Sequence, residues 1–291
     1  MSTLSQKTKG ILLMILAALF LSLLNVVVKL SGGRIPLMEQ VFFRNFVSFL
    51  VMFVILRRTG TPLFGPKKYH PWLIMRSVFG VMGVICQFYA SNHALQADVT
   101  TICKMSPFIV TLLAAVFLKE KISKIQVPAM ILAFAGCIIV ANPTFNSNTF
   151  PLFVSFLDAL TSAIAFTLLR FFRDKVDALT VVMFYSTCST ILIAPFALAN
   201  FVIPIFAELI LLVLLGILAA LVQICLTYSY RMAPAAEVSV YNYSGILFSM
   251  VLGYLILGES VGFNSIIGGV LVIAASLLVY FYNRKHDTVK A

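Results

Sequence analysis

Charge is what this sequence has least of. Only 11% of its residues are Asp, Glu, Lys or Arg, against about 25% in soluble globular chains. Acids are scarcer than bases, 10 against 21, and histidine occurs 3 times. A soluble fold made from a chain that is 61% hydrophobic would lack polar cover for its surface. Metal and redox chemistry are poorly served too. Cys86, Cys103, Cys137, Cys188 and Cys225 all fall inside apolar runs, with no CxxC and no metal-ligand spacing. They read as small buried hydrophobes, and no metal site is expected. No glycine-rich phosphate loop and no soluble-domain-sized polar stretch occurs, so no cofactor is expected and ATP-driven work by this chain alone is excluded.

Long apolar runs are what the chain does have. A helix needs about 20 residues to cross roughly 30 Å of hydrocarbon. About ten windows qualify by the handedness-free test of length and apolarity: 10–31, 38–56, 71–92, 97–118, 124–141, 151–171, 179–199, 207–229, 235–257 and 262–282. The first follows Lys7 and Lys9 in the manner of a secretory leader, yet it is long enough to span and others follow it, so it reads as a retained helix.

The net charge of +11 does not indicate nucleic acid, because the cations lie in short loops rather than on one basic face. Their distribution orients the chain instead. With a cytoplasmic N-terminus, the inner loops receive Lys7, Lys9, Arg57, Arg58, Lys67, Lys68, Lys119, Lys121 and Lys124. They also receive Arg173, Lys175, Arg231, Arg284, Lys285 and Lys290, whereas the outer loops receive only Arg34. By the positive-inside rule both termini are expected in the cytoplasm of a multi-pass cell-membrane protein.

An internal repeat organises the chain. A shift of 139 residues lays Tyr89-Ala90-Ser91 on Tyr228-Ser229-Tyr230, Asp98-Val99-Thr100 on Glu237-Val238-Ser239, and Leu118-Lys119-Glu120 on Leu257-Gly258-Glu259. A shift of 141 lays Lys29 on Arg170. The expected fold is therefore all-α, ten transmembrane helices in two five-helix repeats, 1–143 and 144–291. An odd number per repeat inverts the second in the membrane, a recurrent device of secondary transporters.

Phe43-Arg44-Asn45 in span two, Ala94-Leu95-Gln96-Ala97-Asp98 before span four, Ser106-Pro107 within it and Leu118-Lys119-Glu120-Lys121 after it form a recognisable set, with Gly136 in span five. Met232-Ala233-Pro234-Ala235-Ala236-Glu237 and Leu257-Gly258-Glu259-Ser260 echo it in the second half. On these residues the chain resembles the drug/metabolite transporter superfamily, in particular its ten-helix EamA members. The resemblance implies a central cavity lined by spans one to four and six to nine, with spans five and ten peripheral. It is specific for fold and transport and says little about cargo.

Ionisable residues inside a span cost about 2.5–3.5 kcal/mol each on insertion scales, so they face a cavity or a partner. Arg44 and Lys104 each lie about six residues, or roughly 9 Å, below the outer end of their spans. Together they suit a carboxylate or phosphate, Arg as a fork and Lys as a point charge. The structural alternative pairs Arg44 with Glu39 or Asp158 and lets Lys104 snorkel. Tyr185 and Tyr243 are their repeat counterparts, so the pocket is cationic from one half and aromatic and amide-bearing from the other. Tyr241-Asn242-Tyr243-Ser244 is the densest polar patch within an apolar run, serving either the cargo or helix packing. Asp158 could relay a proton, hold a substrate amine or neutralise a neighbouring cation. Asn25, Gln87 and Gln223 are weaker candidates. Asp98 and Glu237 read as helix-start acids, Glu120 and Glu259 as binders of loop amides or bases, and Pro107 as a kink.

The expected function is a non-enzymatic secondary transporter that moves a small organic metabolite bearing a carboxylate or phosphate, such as an amino-acid-like, nucleoside-like or vitamin-like molecule. Its partners are that small-molecule substrate and the lipid bilayer, with no nucleic acid. Proton coupling and a homodimer are both compatible with the sequence. The alternative is a polytopic membrane enzyme for a lipid-linked substrate, which would need acids or histidines clustered at one interface. Here His70, His93 and His286 stand at unrelated positions.

Overall fold

The computed structural model describes residues 5–31, 34–93, 99, 102–141, 149–258 and 263–288. The described elements are α1 (Gln6–Ser31), α2 (Leu37–Thr59), a 3-10 turn (Lys67–Tyr69), α3 (His70–His93), α4 (Ser106–Phe117) and α5 (Gln126–Ala141). They continue with α6 (Thr149–Phe171), α7 (Ala178–Ala199), α8 (Phe206–Met232), α9 (Ala235–Tyr241), α10 (Ser244–Leu257) and α11 (Phe263–Thr288). Among the described residues, six helical stretches are long and apolar enough to cross a membrane: Gln6–Val28, α2, α6, α7, α8 and Ala235–Ile256, which joins α9 to α10. Ser106–Phe117, Gln126–Ile139 and Ile266–Tyr282 are apolar but shorter. Asp98, Glu259 and most of the run before span four lie outside the described residues.

Local chemistry sets the helix ends. Pro36 precedes α2, and Gly60 closes it with φ 68°, donating its N–H to the Leu56 carbonyl; that left-handed geometry is nearly free for glycine alone. Asp177 caps α7 by accepting from the Leu179 N–H at 2.8 Å, filling one of the donors a helix start leaves open.

Helix contacts come in matched pairs. α1 packs on α8 and α3 on α6; α2 meets α8 and α3 meets α7; α1 meets α10 and α4 meets α6. α2 with α7, α4 with α9, and α5 with α11 match themselves. Exchanging α1–α5 for α6–α11, with α9 and α10 taken as one unit, turns these pairs into themselves. α5 and α11 lie against each other; α5 also touches α9 and, through Phe134 on Phe108 and Met130 on Thr111, α4, and α11 touches α9 and α10.

Small residues let these helices approach, as in other membrane bundles. A methyl group on Gly216 of α8 would fall 2.3 Å from the Val47 Cβ of α2, and one on Gly136 of α5 would fall 2.7 Å from the Gly268 carbonyl of α11. Hydroxyls bridge other seams, α2 to α7, α1 to α10 and α4 to α9: Ser48 with Ser186 at 3.0 Å, Ser22 to the Gly245 carbonyl at 2.9 Å, and Thr111 with Ser239 at 3.3 Å. The outer girdle is apolar instead, with Phe206 80%, Phe117 72% and Leu255 69% exposed. Exposed apolar area on this scale needs a lipid or protein partner.

The two ends of the bundle are tied differently. At one end, called here the basic end, Lys7 meets Glu237 at 3.0 Å. There Arg170 Nε donates to Glu120 Oε1 at 2.5 Å, and the Ala235 N–H donates to Glu120 Oε2 at 2.9 Å. Arg170 also donates to the Arg231 carbonyl at 3.1 Å, and Ser229 to the Gly10 carbonyl at 2.7 Å. At the far end Arg34 forks onto Glu208 at 3.0 and 2.7 Å, and the Val202 N–H donates to Glu39 at 3.0 Å.

Candidate functional site

Two helices are interrupted at corresponding places. Residues 102 and 103 are helical, Lys104 and Met105 form a turn, and α4 resumes at Ser106; in the second half α9 ends at Tyr241, Asn242 and Tyr243 form a turn, and α10 begins. The first break follows from Pro107, which has no N–H to give and is tolerated only in a helix's first turn. There the Phe108 and Ile109 N–H groups both turn to the Met105 carbonyl, so the Lys104 carbonyl has no helical donor. The Tyr243 hydroxyl fills that place, donating to it at 3.0 Å. No proline marks the second break, and the sequence gives span nine as one uninterrupted run over 235–257. Its turn is held by main-chain bonds from Asn242 to Ser239 and from Tyr243 to Val240, at 3.2 Å each.

Lys104 projects beside this junction. A methyl group built on Gly245 would stand 4.0 Å from the Lys104 Nζ and 3.7 Å from the Ala18 Cβ of α1, so the missing side chain leaves room for the ammonium. Asp158 of α6 lies nearby, buried. It accepts from Ser162 at 2.9 Å, and the Cys103 thiol donates to the main-chain carbonyl of Ser155, one turn earlier in α6, at 3.8 Å. α3 presses on it at Gly83, where a methyl group would come within 3.0 Å of Asp158 Oδ1.

Arg44 is partly buried in α2, and its Nε has no acceptor. Neither acid considered as its structural partner takes that part. Glu39 is fully buried and receives the Val202 N–H, while Asp158 is engaged by Ser162. The remaining candidates separate. Tyr243 is buried at the junction; Tyr241 is buried with its hydroxyl unpartnered; Asn242 is partly buried in the turn; Asn25 and Gln87 are exposed on α1 and α3. Ser244 folds back onto the Tyr241 carbonyl at 2.7 Å. Glu237 meets Lys7 at the first turn of α9, and Glu120 takes both a loop amide and Arg170.

The sequence reading missed Arg76. It lies in α3, only 2% exposed, with Nη2 donating to Gln223 of α8 at 2.7 Å. Its Cζ stands 3.9 Å from the centre of the Tyr185 ring of α7, and Arg44 is near enough for the two like charges to interact. The signal was present, since a cation six residues inside an apolar window invites the same question as Arg44. Closeness to the Lys- and Arg-rich end lets it pass for a loop charge. Gln223, a weaker candidate in sequence, is the amide that receives it.

Comparison with known proteins agrees with this architecture. The pseudopaline exporter CntI of Pseudomonas aeruginosa is 30% identical over 270 residues, covering 92% of this chain and 94% of its own. The S-adenosylmethionine uptake transporter of Rickettsia bellii is 27% identical, with 90% and 89% covered. The riboflavin transporter of Rhizobium johnstonii is 26% identical, with 94% and 92% covered. A solved crystal structure superposes with a TM-score of 0.84 at 16% identity, over 96% of this chain and 99% of that one, which shows a shared fold. The model of the EamA-like transporter family matches twice in tandem, over residues 8–142 and 149–281. The chain is a multi-pass membrane protein of the drug/metabolite transporter type and belongs to the EamA-like transporter family.

Proposed function

We propose that the chain is a secondary transporter that carries a small organic metabolite with an anionic group across the cell membrane by alternating access. In this reading it spans the membrane ten times as two inverted repeats, 1–143 and 144–291, with both termini and the basic end cytoplasmic. The tandem family match and the exchange-symmetric helix contacts support the repeat. The loop charges support the orientation. The relatives are named for different cargoes, one as an exporter, one as an uptake transporter and one as a riboflavin transporter, which favours a small metabolite as the class and a transporter over an enzyme.

One observation carries the reading: the two helix breaks meet at the Tyr243–Lys104 bond, and among the described residues no carboxylate forms an ion pair with Lys104 there. Discontinuous helices at corresponding places in two repeats are where transporters of inverted design bind their cargo. Arg44 and Lys104 bring positive charge to that level, Tyr241, Asn242 and Tyr243 bring aromatic and amide groups, and Asn25 and Gln87 stand at similar depth. Asp158 is placed to serve a coupling proton or a cargo amine, being buried in α6 with the Ser162 hydroxyl as its donor.

The test is a thermal-shift screen of the purified protein against a metabolite panel, repeated on Arg44→Ala and Lys104→Ala. A ligand at 100-fold excess over its Kd stabilises by about 2.7 kcal/mol. An anionic metabolite should raise the wild-type midpoint and leave both variants unmoved. Hits that survive both substitutions would remove these cations from the site.

A further inference from the structure

Arg76 stands out among the cations of this molecule because its surroundings do not explain it. At the basic end each cation lining the cavity of about 300 Å³ between Leu118, Glu120 and Lys175 is engaged: Arg170 by Glu120, Arg173 by Asp174, and Lys175 against the Phe171 ring. Arg76 is more deeply buried than any of these, yet has one neutral amide and one ring. Its Nε and Nη1 have no acceptor, and among the described residues no carboxylate forms an ion pair with it. An uncompensated guanidinium away from water is among the most unfavourable groups a fold can hold. A purely structural arginine would be expected to have its donors filled.

Its position gives the missing acceptor a meaning. Arg76 lies about 9 Å along α3 from the basic end, and Arg44 about 10 Å along α2 from the far end. The main-chain positions of the two arginines therefore stand on opposite sides of the middle of the bundle, with their side chains between. Tyr185, the ring against Arg76, is the repeat counterpart of Arg44. Each level thus holds one guanidinium from the first half, and the lower one adds an aromatic and an amide from the second. Gly80 makes the lower level possible: a methyl group there would come 2.8 Å from the Tyr185 ring and 3.6 Å from Arg76 Nη1.

We propose that Arg76, flanked by Tyr185 and Gln223, is a second carboxylate-binding station on the cargo's path, occupied when the basic end opens, as Arg44 is when the far end opens. The planar fork of free N–H groups fits the two oxygens of a carboxylate. Gln223 holds the guanidinium in place between visits. The inference rests on the transport reading above and assigns that reading a residue and a level it does not otherwise contain.

The experiment titrates the full-length purified protein with sodium citrate, succinate, glutamate and benzoate, following the thermal midpoint. Sodium chloride at matched ionic strength and inorganic phosphate are the controls. At least one carboxylate should raise the wild-type midpoint above both controls. Arg76→Gln should then weaken its apparent affinity about tenfold or more, as losing a charge-assisted bond does. Arg76→Lys should recover part of that loss, as a cation restored at the same position does and a merely structural role would not. If Arg76→Gln does not fold, Gly80→Ala replaces it: displacing the Tyr185 ring should change carboxylate affinity with Arg76 intact. Undiminished affinity in Arg76→Gln, or in Gly80→Ala where it stands in, would overturn the station and leave the transport reading standing. A response to phosphate alone would overturn the carboxylate assignment. No response of the wild type to any carboxylate or to phosphate would overturn the station and the anionic-cargo reading together.

Discussion

The hydroxyl of Tyr243 donates to the main-chain carbonyl of Lys104 at 3.0 Å, across a separation of 139 residues, which is also the shift that aligns the two halves of the sequence. A residue can touch its own counterpart only beside the axis that relates them. Ser48 and Ser186, 138 residues apart and 3.0 Å from each other, lie close to the same line. The interrupted helices therefore meet beside that axis, with the Lys104 ammonium at the junction.

Tyr243→Phe removes the donor and leaves the carbonyl freed upstream of Pro107 without a partner. An unsatisfied buried acceptor costs about 1–3 kcal/mol, so the thermal midpoint should fall by several degrees. Transport should slow more than binding weakens. Unchanged stability would mean the carbonyl finds another donor.

Gly216→Ala should destabilise by about 1–3 kcal/mol through overpacking, because its methyl group would overlap Val47 at 2.3 Å. Val47→Ala in the same chain should recover much of the loss. Strictly additive effects in that double-mutant cycle would refute the contact.

Glu120→Gln removes the charge that joins Arg170 to the start of α9. Hydrogen exchange at the Ala235 N–H, now protected by Glu120 at 2.9 Å, should accelerate about tenfold or more as local opening becomes easier. Exchange near Val202, at the other end, should not follow. Equal acceleration at both ends would indicate general loosening rather than release of one tie.

Arg34→Ala cuts the fork onto Glu208, in which the arginine is half exposed. Exposed pairs add little to stability, so the thermal midpoint should hold. Exchange over residues 200–205 should quicken instead, because Arg34 also anchors the Ile203 carbonyl at 2.9 Å. A large fall in the midpoint would refute this assignment.

Much of the architecture is legible in the sequence because membrane spans are written in composition. Ten windows, short loops and a repeat need no tertiary information to be seen. The break at Lys104 is announced by Pro107, a residue whose covalent structure forbids continuity. The matching break at Asn242 has no such mark and depends on what Tyr243 meets from the other half. Arg76 was hidden for a related reason. Its meaning lies in Tyr185 and Gln223, which are remote in sequence. Glu39 shows the converse: five residues from Arg44, it looks like a partner, but it faces the loop before α8 and is taken by Val202.

The paired interruptions also bear on how the molecule can change shape. A continuous helix that bends must first break hydrogen bonds, and the energy needed sets a barrier to the motion. Here the regular ladder has already given way to tighter bonds three residues apart, so each interrupted helix carries a ready-made joint, and the joints are fastened to each other through Tyr243 and Lys104. Rotation at one is felt at the other, as with two levers on a shared pin. The far side of the bundle should therefore close by the same movement that opens the near side, and a leak open to both sides at once would require that pin to fail.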